Sequence, residues 1–314
     1  MAKKATKKEE DLFDACKRGL NKRCVTIFVR EGLEILNKTN DFGDTLLYIA
    51  SQYGHAEVVS TLLERGALVN ESNNDGMIPL SIACQNNHIL VVKALLISKS
   101  EINHSDNDGD TPLHMAAIHG NYEICKTLLN KKALINKSNN AGITPLLGAC
   151  IENKEEVVRI LIDSKADIEK SDDIGRTPLL VSIKNANIKI IKILLEAKVK
   201  VNVVDYNGDT PLHIACLTCN DQIAKLLVNA KANVTIKNRL GETPLRIVCH
   251  MKKNYKLFEI LYPLVLWSRR RPLLLMRASE SNKKKDKPTA LGILLTVKDD
   301  RELLFLVKYV GSFL

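Results

Sequence analysis

Two short apolar blocks alternate along most of the chain, and each block returns every 33 residues. The first block has the strings TLLYIAS, IPLSIAC, TPLHMAA, TPLLGAC, TPLLVSI, TPLHIAC and TPLRIVC; the second has VVSTLL, VVKALL, ICKTLL, VVRILI, IIKILL and IAKLLV. In both blocks the apolar residues have the spacing of a helix. A fixed period of this length is typical of stacked repeats, because no single unit can bury its apolar face alone.

Polar residues and glycines predict where the helices begin and end. Thr111 is placed to cap a short helix, and Pro112 suits its first turn, where the missing N–H costs nothing. This helix is predicted to end at Gly120, and its counterparts in other repeats at Gly54, Asn87 and Asn153, because glycine and asparagine tolerate a left-handed backbone. A second helix follows around Tyr122–Asn130, and turns such as Asp106–Gly109 suit a tight hairpin. Each unit is therefore predicted to be helix, helix, hairpin, with the hairpin glycine at Gly43, Gly76, Gly109, Gly142, Gly175, Gly208 and Gly241.

This pattern resembles the ankyrin repeat, whose signature includes a 33-residue period and a TPLH string. TPLH is intact at Thr111–His114 and Thr210–His213, and the match extends from Asn40 to about Tyr262. The resemblance implies an all-α fold with short β-hairpins, a solenoid of stacked helix-turn-helix units. It also implies that His114 and His213 join neighbouring repeats by hydrogen bonds.

The same comparison divides the chain into four segments. Residues 1–39 are predicted to be an N-terminal tail and a degenerate capping repeat. Residues 40–267 are predicted to be seven repeats that start near 40, 73, 106, 139, 172, 205 and 238. Residues 268–288 would form a basic insertion, and residues 289–314 a degenerate C-terminal capping repeat. Atypical end units are expected where a stack ends in solvent.

Lysine replaces the glycine that usually follows the second helix of an ankyrin repeat. Gly66 holds this position in the first full repeat, and the later repeats have Lys99, Lys132, Lys165, Lys198 and Lys231. If the backbone is left-handed there, each lysine costs roughly 1–2 kcal/mol. Either the turn is rebuilt, or burial between the repeats compensates.

Composition narrows the class of protein and its partners. The net charge of +10, from 46 Lys+Arg against 36 Asp+Glu, permits acidic proteins, nucleic acid or anionic lipid without selecting one. No apolar stretch follows the basic N-terminus, and the apolar run Leu257–Trp267 is too short to cross a bilayer. The eight cysteines are scattered at apolar positions, so we expect reduced thiols and a cytoplasmic or, alternatively, nuclear location.

Residues that could serve catalysis or metal binding lie at positions that the repeat explains. No nucleophile and orienting acid recur beside His114 and His213. Cys216 and Cys219 form a CxxC motif near His213, but no second CxxC completes a zinc site. The glycines form no phosphate loop. We therefore expect no enzyme, with no catalytic residue, metal, cofactor or small-molecule substrate.

Two basic runs lie beyond the repeats, at Arg269, Arg270 and Arg271 and at Lys283, Lys284, Lys285 and Lys287. Their spacing is similar to that of a two-part nuclear import signal. Such runs could also contact nucleic acid or lipid head groups, or they could form a solvated loop. No aromatic residues interleave with them, so a nucleic-acid site built on stacking is not expected.

Positions that vary between repeats are available to a partner, whereas recurring positions are scaffold. In ankyrin arrays the partner surface is usually the concave one, made by the hairpin tips and the exposed ends of the first helices. Here these positions include Phe42, Asp44, Tyr53, Asp75, Met77, Asp108, Asp110, Ile118, His119, Ile143, Ile151, Ile174, Arg176, Tyr206, Asp209, Leu217, Leu240 and Met251. Apolar and aromatic residues are typical interface anchors. The early carboxylates suggest an elongated partner with basic residues toward one end.

The leading hypothesis is a monomeric, non-catalytic scaffold or adaptor that binds a protein on its concave ankyrin surface. The alternative is a nuclear or acidic-surface-associated regulator whose basic insertion contacts nucleic acid or anionic lipid. A third hypothesis is the substrate-receptor arm of a degradation complex. It would need an F-box-like or SOCS-box-like tail, and none is recognisable after Leu264. The identity of the partner does not follow from the sequence, because the surface that would bind it is the variable part.

Overall fold

The computed structural model describes residues 7–31, 35–250 and 256–266. Over these residues the chain forms helices joined by turns. The helices are α1 (Lys7–Lys17), α2 (Asn21–Glu31), α3 (Leu46–Gln52), α4 (Ala56–Glu64), α5 (Pro79–Gln85), α6 (Ile89–Ile97), α7 (Pro112–His119), α8 (Tyr122–Asn130), α9 (Pro145–Ile151), α10 (Glu155–Asp163), α11 (Pro178–Lys184), α12 (Ile188–Glu196), α13 (Pro211–Leu217), α14 (Asp221–Asn229), α15 (Pro244–His250) and α16 (256–266). The predicted basic insertion and closing repeat lie outside the described residues.

The first helix of each repeat is too short to persist alone in water, and packing on both sides stabilises it. In α7 the Thr111 hydroxyl accepts a hydrogen bond from the His114 N–H, and Pro112 occupies the first turn. The same side-chain cap recurs at Thr45, Thr144, Thr177 and Thr210. The predicted threonine caps are confirmed at these positions.

The second helix of each repeat buries one face. In α10, Val157, Val158 and Leu161 are buried, while Glu156 and Arg159 are exposed. This i, i+1, i+4 arrangement recurs along the repeats because only one stripe of the helix meets its neighbours. The periodic apolar blocks of the sequence are therefore the core.

The predicted hairpins are tight turns. In one of them the Asn139 N–H donates to the Ile143 carbonyl (2.9 Å), and the Gly142 N–H donates to the Asn139 carbonyl (3.0 Å). The Asn139 Oδ1 also accepts from the N–H groups of Ala141 and Ile143. The same set of bonds recurs in the turns that start at Asn40, Asn73, Asp106, Asp172, Asp205 and Asn238. Among the described residues, β-pairing is limited to one bridge between Thr39 and Thr45.

The turn after each second helix keeps its left-handed backbone although lysine has replaced glycine. The φ angles are 63° at Lys99, 63° at Lys132 and 70° at Lys165, and they are also positive at Lys198 and Lys231. Of the two possibilities left open by the sequence, a rebuilt turn is excluded. The lysines therefore carry the strain of a left-handed backbone, and the apolar burial between repeats has to offset its cost in folding free energy.

The chain divides into two compact units. The first comprises the residues up to Asn185 together with Lys189–Ala197, and the second comprises Ala186–Ile188 and the residues from Lys198 onward. In the first unit, α3, α5, α7, α9 and α11 pack in succession, as do α4, α6, α8 and α10. The pair α1 and α2 packs against α3 and α4 at one end of this unit. In the second unit, α13 packs against α14 and α15.

Candidate protein-binding face

The predicted partner positions form what we call the tip face: the residues flanking each hairpin glycine and those ending each first helix. Within the first unit, successive tips are joined by backbone hydrogen bonds. The Asn74 N–H donates to the Phe42 carbonyl, and the Asn107 N–H donates to the Asp75 carbonyl, both at 3.0 Å. The same bond continues from Asn140 to Asp108 and from Asp173 to Ala141. The tips of consecutive repeats in this unit therefore lie side by side.

The tip-face residues differ in their exposure. Exposed residues are Phe42, Tyr53, Asp75, Asp108, His119 and Ile174 in the first unit, and Tyr206, Leu217 and Leu240 in the second. Half-buried residues are Asp44, Met77, Asp110, Ile118, Ile143, Ile151 and Arg176. Asp209 is buried, and Met251 lies outside the described residues. Among the apolar side chains of this face, Phe42 and Leu240 have the largest exposed fractions, 72% and 81%.

Some of the half-buried apolar residues pack within the protein, either in their own repeat, as Ile143 does, or against the next one, as Ile118 does. A Cβ added at Gly148 would lie 2.9 Å from Ile118 Cγ1 and 3.8 Å from Ile143 Cγ2, so both isoleucines close over this glycine. Met77 is similarly placed, with its sulfur 3.9 Å from the Tyr48 hydroxyl. These side chains have a packing role in addition to any contact with a partner.

Three of the predicted partner-binding carboxylates are bonded within the protein. Asp110 Oδ1 accepts from the Asn139 amide at 2.9 Å, and Asp44 Oδ1 accepts in the same way from Asn73 at 3.0 Å. In the second unit, Asp209 Oδ1 accepts from Asn238 at 2.8 Å, and Asp209 is only 7% exposed. Asp209 therefore lies under the next turn, and its carboxylate is not exposed on the tip face as the other predicted positions are.

The sequence contained a signal for these bonds that its repeat pattern alone did not reveal. Where the residue after the hairpin glycine is aspartate, the turn that begins 29 residues later starts with asparagine. Where that residue is Met77, Ile143 or Arg176, the next turn starts with aspartate. An amide satisfies a carboxylate, whereas a second carboxylate would repel it, so the two positions are matched.

The charges left exposed on the tip face of the first unit are mainly negative. Asp75 and Asp108 are exposed, whereas the predicted cation Arg176 donates from Nε to Asp172 Oδ2 at 2.7 Å. Burial raises the pKa of the Asp106 and Asp110 carboxyls above their ordinary value. The acidic character of this face contrasts with the net charge of +10 of the whole chain.

Aromatic residues on the same face are held by neighbours. The Lys17 ammonium lies 5.5 Å from the centroid of the Tyr53 ring, and the ring of His55 is stacked at 6.5 Å from it. His119 hydrogen-bonds through Nδ1 to the Met115 carbonyl of its own helix at 2.9 Å. Both Tyr53 and His119 remain exposed, so each still presents surface to a partner.

The two histidines of the TPLH strings are part of the scaffold. His114 is fully buried, its Nδ1 accepts from the Thr111 N–H at 3.1 Å, and its Nε2 donates to the Ile143 carbonyl at 3.0 Å. Burial lowers the pKa of His114 to about 4, so the ring is neutral at physiological pH. His213 makes the equivalent bonds to Thr210 and Glu242. The predicted bonding role of both histidines is confirmed.

The cysteines are buried with the exception of Cys219. Burial raises the pKa of the Cys125 and Cys150 thiols to about 12, which leaves them protonated and poorly nucleophilic. In the CxxC motif, Cys216 is buried and Cys219 lies in a left-handed turn with φ 53°. Cys16 and Cys24 face each other across α1 and α2, with their sulfurs 3.7 Å apart.

In the part of the chain that the structure describes, no group of three or more His, Cys, Asp or Glu residues is arranged to hold a metal ion. None of the helices described is long and apolar enough to cross a membrane. The predicted basic residues Arg269, Arg270, Arg271, Lys283, Lys284, Lys285 and Lys287 lie outside the described residues.

Comparison with known proteins connects this architecture to a family. A family model described as "Ankyrin repeats (3 copies)" matches residues 12–106, 90–172, 132–205, 168–238 and 200–268. The ankyrin repeat domain of Bcl-3, described as a member of the IkappaB protein family, is 27% identical with a TM-score of 0.64, over 71% of this chain and 100% of that one. The human ASB11 ankyrin repeat domain is 23% identical with a TM-score of 0.63, over 71% and 98%, and supports the fold alone. A search of curated proteins found no match.

These similarities confirm the predicted fold class, all-α with stacked ankyrin units. Repeats of this kind are in general non-catalytic modules that bind other proteins. The hairpin turns, threonine caps and buried histidines described above are the local structures that account for the match.

Proposed function

Because this chain belongs to the ankyrin repeat family, we propose that it is a non-catalytic scaffold or adaptor that binds a protein partner on the tip face. The observation that carries the proposal is the exposure of large apolar side chains at variable positions of that face. Phe42 is 72% exposed at a hairpin tip, and Ile174 is 56% exposed at another. Such side chains gain free energy when a partner covers them.

The charge of the face favours a class of partner. Asp75 and Asp108 present carboxylates on adjacent tips, near the apolar side chain of Phe42 one repeat earlier. A segment that carries both apolar residues and lysine or arginine would match them. The partner is therefore proposed to be a protein whose contact region is basic and apolar, and this chain is proposed to act as a monomer in the cytoplasm or the nucleus.

A capture experiment with matched variants tests the proposal. The triple variant Phe42→Ser, Tyr53→Ala and Ile174→Ser removes exposed apolar surface from the tip face. The control Leu68→Asn, Leu134→Asn and Val204→Ser removes exposed aliphatic side chains that lie off this face. We expect the tip variant, and not the control, to lose the proteins captured by the intact chain while its thermal unfolding stays unchanged. If the two variants capture the same set, the tip face is not the binding surface.

The alternative function rests on the two basic runs of the sequence, Arg269–Arg271 and Lys283–Lys287. It predicts binding to DNA or anionic vesicles that falls steeply with salt concentration. Neutralising both runs should abolish that binding and leave the protein capture unchanged. Binding with a shallow salt dependence, or binding that survives neutralisation, would exclude this function.

A further inference from the structure

Two thiols lie in contact between α1 and α2. Cys16, in the last turn of α1, and Cys24, near the start of α2, are both fully buried. Their sulfurs are 3.7 Å apart, close enough for one thiol to donate a hydrogen bond to the other. A disulfide bond is about 2.05 Å long, so the sulfurs have to approach by about 1.7 Å to form one. The reduced pair is therefore close to the geometry of a disulfide.

Hydrogen bonds to the next repeat hold the two helix ends that carry these cysteines. At the end of α1, the Lys17 carbonyl accepts from His55 Nε2 at 2.9 Å. At the start of α2, the Asn21 side-chain oxygen accepts from the Thr61 hydroxyl at 2.9 Å. Each cysteine lies within one helical turn of one of these bonds. The approach of the two sulfurs is therefore set by the packing of α1 and α2 on the stack.

The helix pairs that follow have the same two facing positions, eight residues apart, but none of the next six pairs has cysteine at both. The residues there are Ser51 and Val59, Cys84 and Val92, Ala117 and Cys125, Cys150 and Val158, Ile183 and Ile191, and Cys216 and Ala224. A single cysteine at either position behaves as an ordinary small core residue. The packing of a repeat thus does not require a second thiol, whereas the α1–α2 pair has one.

The surroundings favour Cys24 as the nucleophile of the pair. The hydrogen bond with the Cys16 thiol lowers the pKa of the Cys24 thiol, and a backbone hydrogen bond and the Arg23 guanidinium act in the same direction against the effect of burial. The N-terminus of α2 also favours a thiolate. At the equivalent position of α8, by contrast, burial raises the pKa of Cys125 to about 12.

We propose that Cys16 and Cys24 form a reversible disulfide, which ties α1 to α2, by exchange with a low-molecular-weight disulfide such as oxidised glutathione. The Cys24 thiolate attacks one sulfur of the oxidant and displaces one glutathione thiolate, which leaves a mixed disulfide on Cys24. Cys16 then attacks the Cys24 sulfur and displaces the second glutathione. Two protein thiols are oxidised, one oxidised glutathione is reduced to two thiols, and the two cysteine protons end on those thiols.

Local opening of the α1–α2 pair gives the oxidant access to these buried sulfurs. The pair packs against α3 and α4 at one end of the first unit, and an end repeat opens more readily than one held on both sides. The disulfide restricts the opened chain and so favours the closed state. In a reducing compartment such a bond is transient, and it would report oxidation as a change in the order of this end of the stack.

Equilibration of the full chain in buffers of reduced and oxidised glutathione tests the pair. Trypsin cleaves between the two cysteines, at Lys17, Arg18, Lys22 and Arg23. After free thiols are alkylated, mass spectrometry should therefore detect the disulfide as two linked peptides, which disappear when reduced glutathione is restored. Hydrogen exchange of amides in α1 and α2 should slow by roughly tenfold or more on oxidation, while exchange in α9 and α10 stays unchanged.

Matched variants assign these effects to the pair. Cys16→Ala and Cys24→Ala introduce the residue that Ala117 and Ala224 provide at the equivalent positions, so both are expected to fold. Each should abolish the linked peptides and the slower exchange. The control Cys150→Ala removes a buried thiol at a position whose facing residue is valine, and it should leave both effects intact.

The exposed Cys219 shows within the same sample that the oxidant is active. The proposal is overturned if the Cys16–Cys24 peptides stay unlinked in buffers that fully glutathionylate Cys219, or if either cysteine links to a different one instead. It is also overturned if the bond forms while hydrogen exchange in α1 and α2 keeps its rate.

Discussion

His114 donates a hydrogen bond from Nε2 to the carbonyl oxygen of Ile143, 3.0 Å away and 29 residues later in the chain. Its Nδ1 accepts from the Thr111 N–H that opens its own helix. One neutral imidazole therefore joins a helix N-terminus to the turn of the following repeat. Both ring nitrogens take part in these bonds, so the ring orientation is fixed from both sides.

Replacing His114 with alanine should lower the free energy of unfolding by about 2–4 kcal/mol. The substitution leaves a cavity and removes the partners of the Thr111 N–H and the Ile143 carbonyl. His114→Leu should cost less, because leucine fills the same position at Leu147 and Leu180. Urea unfolding measures both changes. His119→Ala, on the exposed end of the same helix, serves as the control and should change the free energy by less than about 0.5 kcal/mol.

Acid should destabilise the protein through His114 in particular. The pKa of this ring is 6.5 ordinarily and about 4 in the folded protein, so between these values the unfolded chain binds more protons. Stability is then fully present above pH 6.5 and falls as the pH drops toward 4, by about 3 kcal/mol in all. Asp106 and Asp110 have raised pKa values, so their protonation favours the folded state and partly opposes this loss at the acidic end of the range. His114→Leu should flatten the decline, and an unchanged pH profile in this variant would contradict the assignment.

Two glycines with similar backbone angles should respond differently to alanine. Gly66 has φ 92° and nothing within 4 Å of an added Cβ, whereas Gly109 has φ 82° and an added Cβ would lie 2.8 Å from the Asn140 nitrogen. Gly66→Ala should cost about 1–2 kcal/mol, the strain of a left-handed residue. Gly109→Ala adds a collision with the next turn, so we expect about 3 kcal/mol or more. Equal midpoint temperatures of thermal unfolding for Gly66→Ala and Gly109→Ala would show that the turn at Asn140 moves aside without an energetic cost.

Returning glycine to the lysine positions should stabilise the chain. Lys99→Gly, Lys132→Gly and Lys165→Gly each remove left-handed strain, partly offset by the greater freedom of glycine in the unfolded chain. The net gain is about 0.5–1 kcal/mol for each change. As a control, Lys126→Gly in the exposed, right-handed part of α8 should instead cost about 1 kcal/mol. A destabilised triple variant would mean that the lysine side chains make contacts that outweigh the strain.

The matched pair Asp110 and Asn139 allows a double-mutant test. Asn139→Asp keeps the acceptor that closes its own turn but places two carboxylates together, so it should cost about 2 kcal/mol at neutral pH. Adding Asp110→Ile recreates the combination of Ile143 with Asp172 found one repeat later and should recover most of the loss. The free energy of unfolding of the two single variants and the double variant gives the coupling. Additive effects would show that the two side chains do not interact.

The sequence predicted the helices and their caps well because each position is sampled in several repeats. A threonine before proline, or a glycine in a turn, recurs in one environment, and the recurrence identifies the role. The strand content was overestimated, since Asn139 and its counterparts close each turn through their own side chains and leave no ladder to extend. For the partner-binding residues, the repeat pattern indicated which positions belong to the candidate face, but it did not indicate which of their side chains are exposed.

Asp209 shows the physical reason for that limit. The exposure of its carboxylate and the hydrogen bond it makes depend on Asn238, which lies opposite it in the next repeat. Aligning the repeats with one another compares equivalent positions, so it does not reveal that two different positions, 29 residues apart, are in contact. The exposure of Leu90 (66%) and Ile97 (83%) on α6 was not predicted, for a related reason. They belong to the apolar block VVKALL and its flanks, where an additional aliphatic residue looks like core until the structure shows which side of α6 it occupies.

The bonds between the tips of the first unit join like positions, with the Asn107 side chain donating to the Asn74 carbonyl and the Asn140 side chain to the Asn107 carbonyl. A gene rearrangement that removes one whole repeat would therefore re-form this ladder with new neighbours. The aspartate–asparagine pairs are less permissive: loss of residues 73–105 would bring Asp106 against Asp44. The number of repeats can thus change by recombination, while the alternation of carboxylate and amide along the turns restricts which repeats can become adjacent.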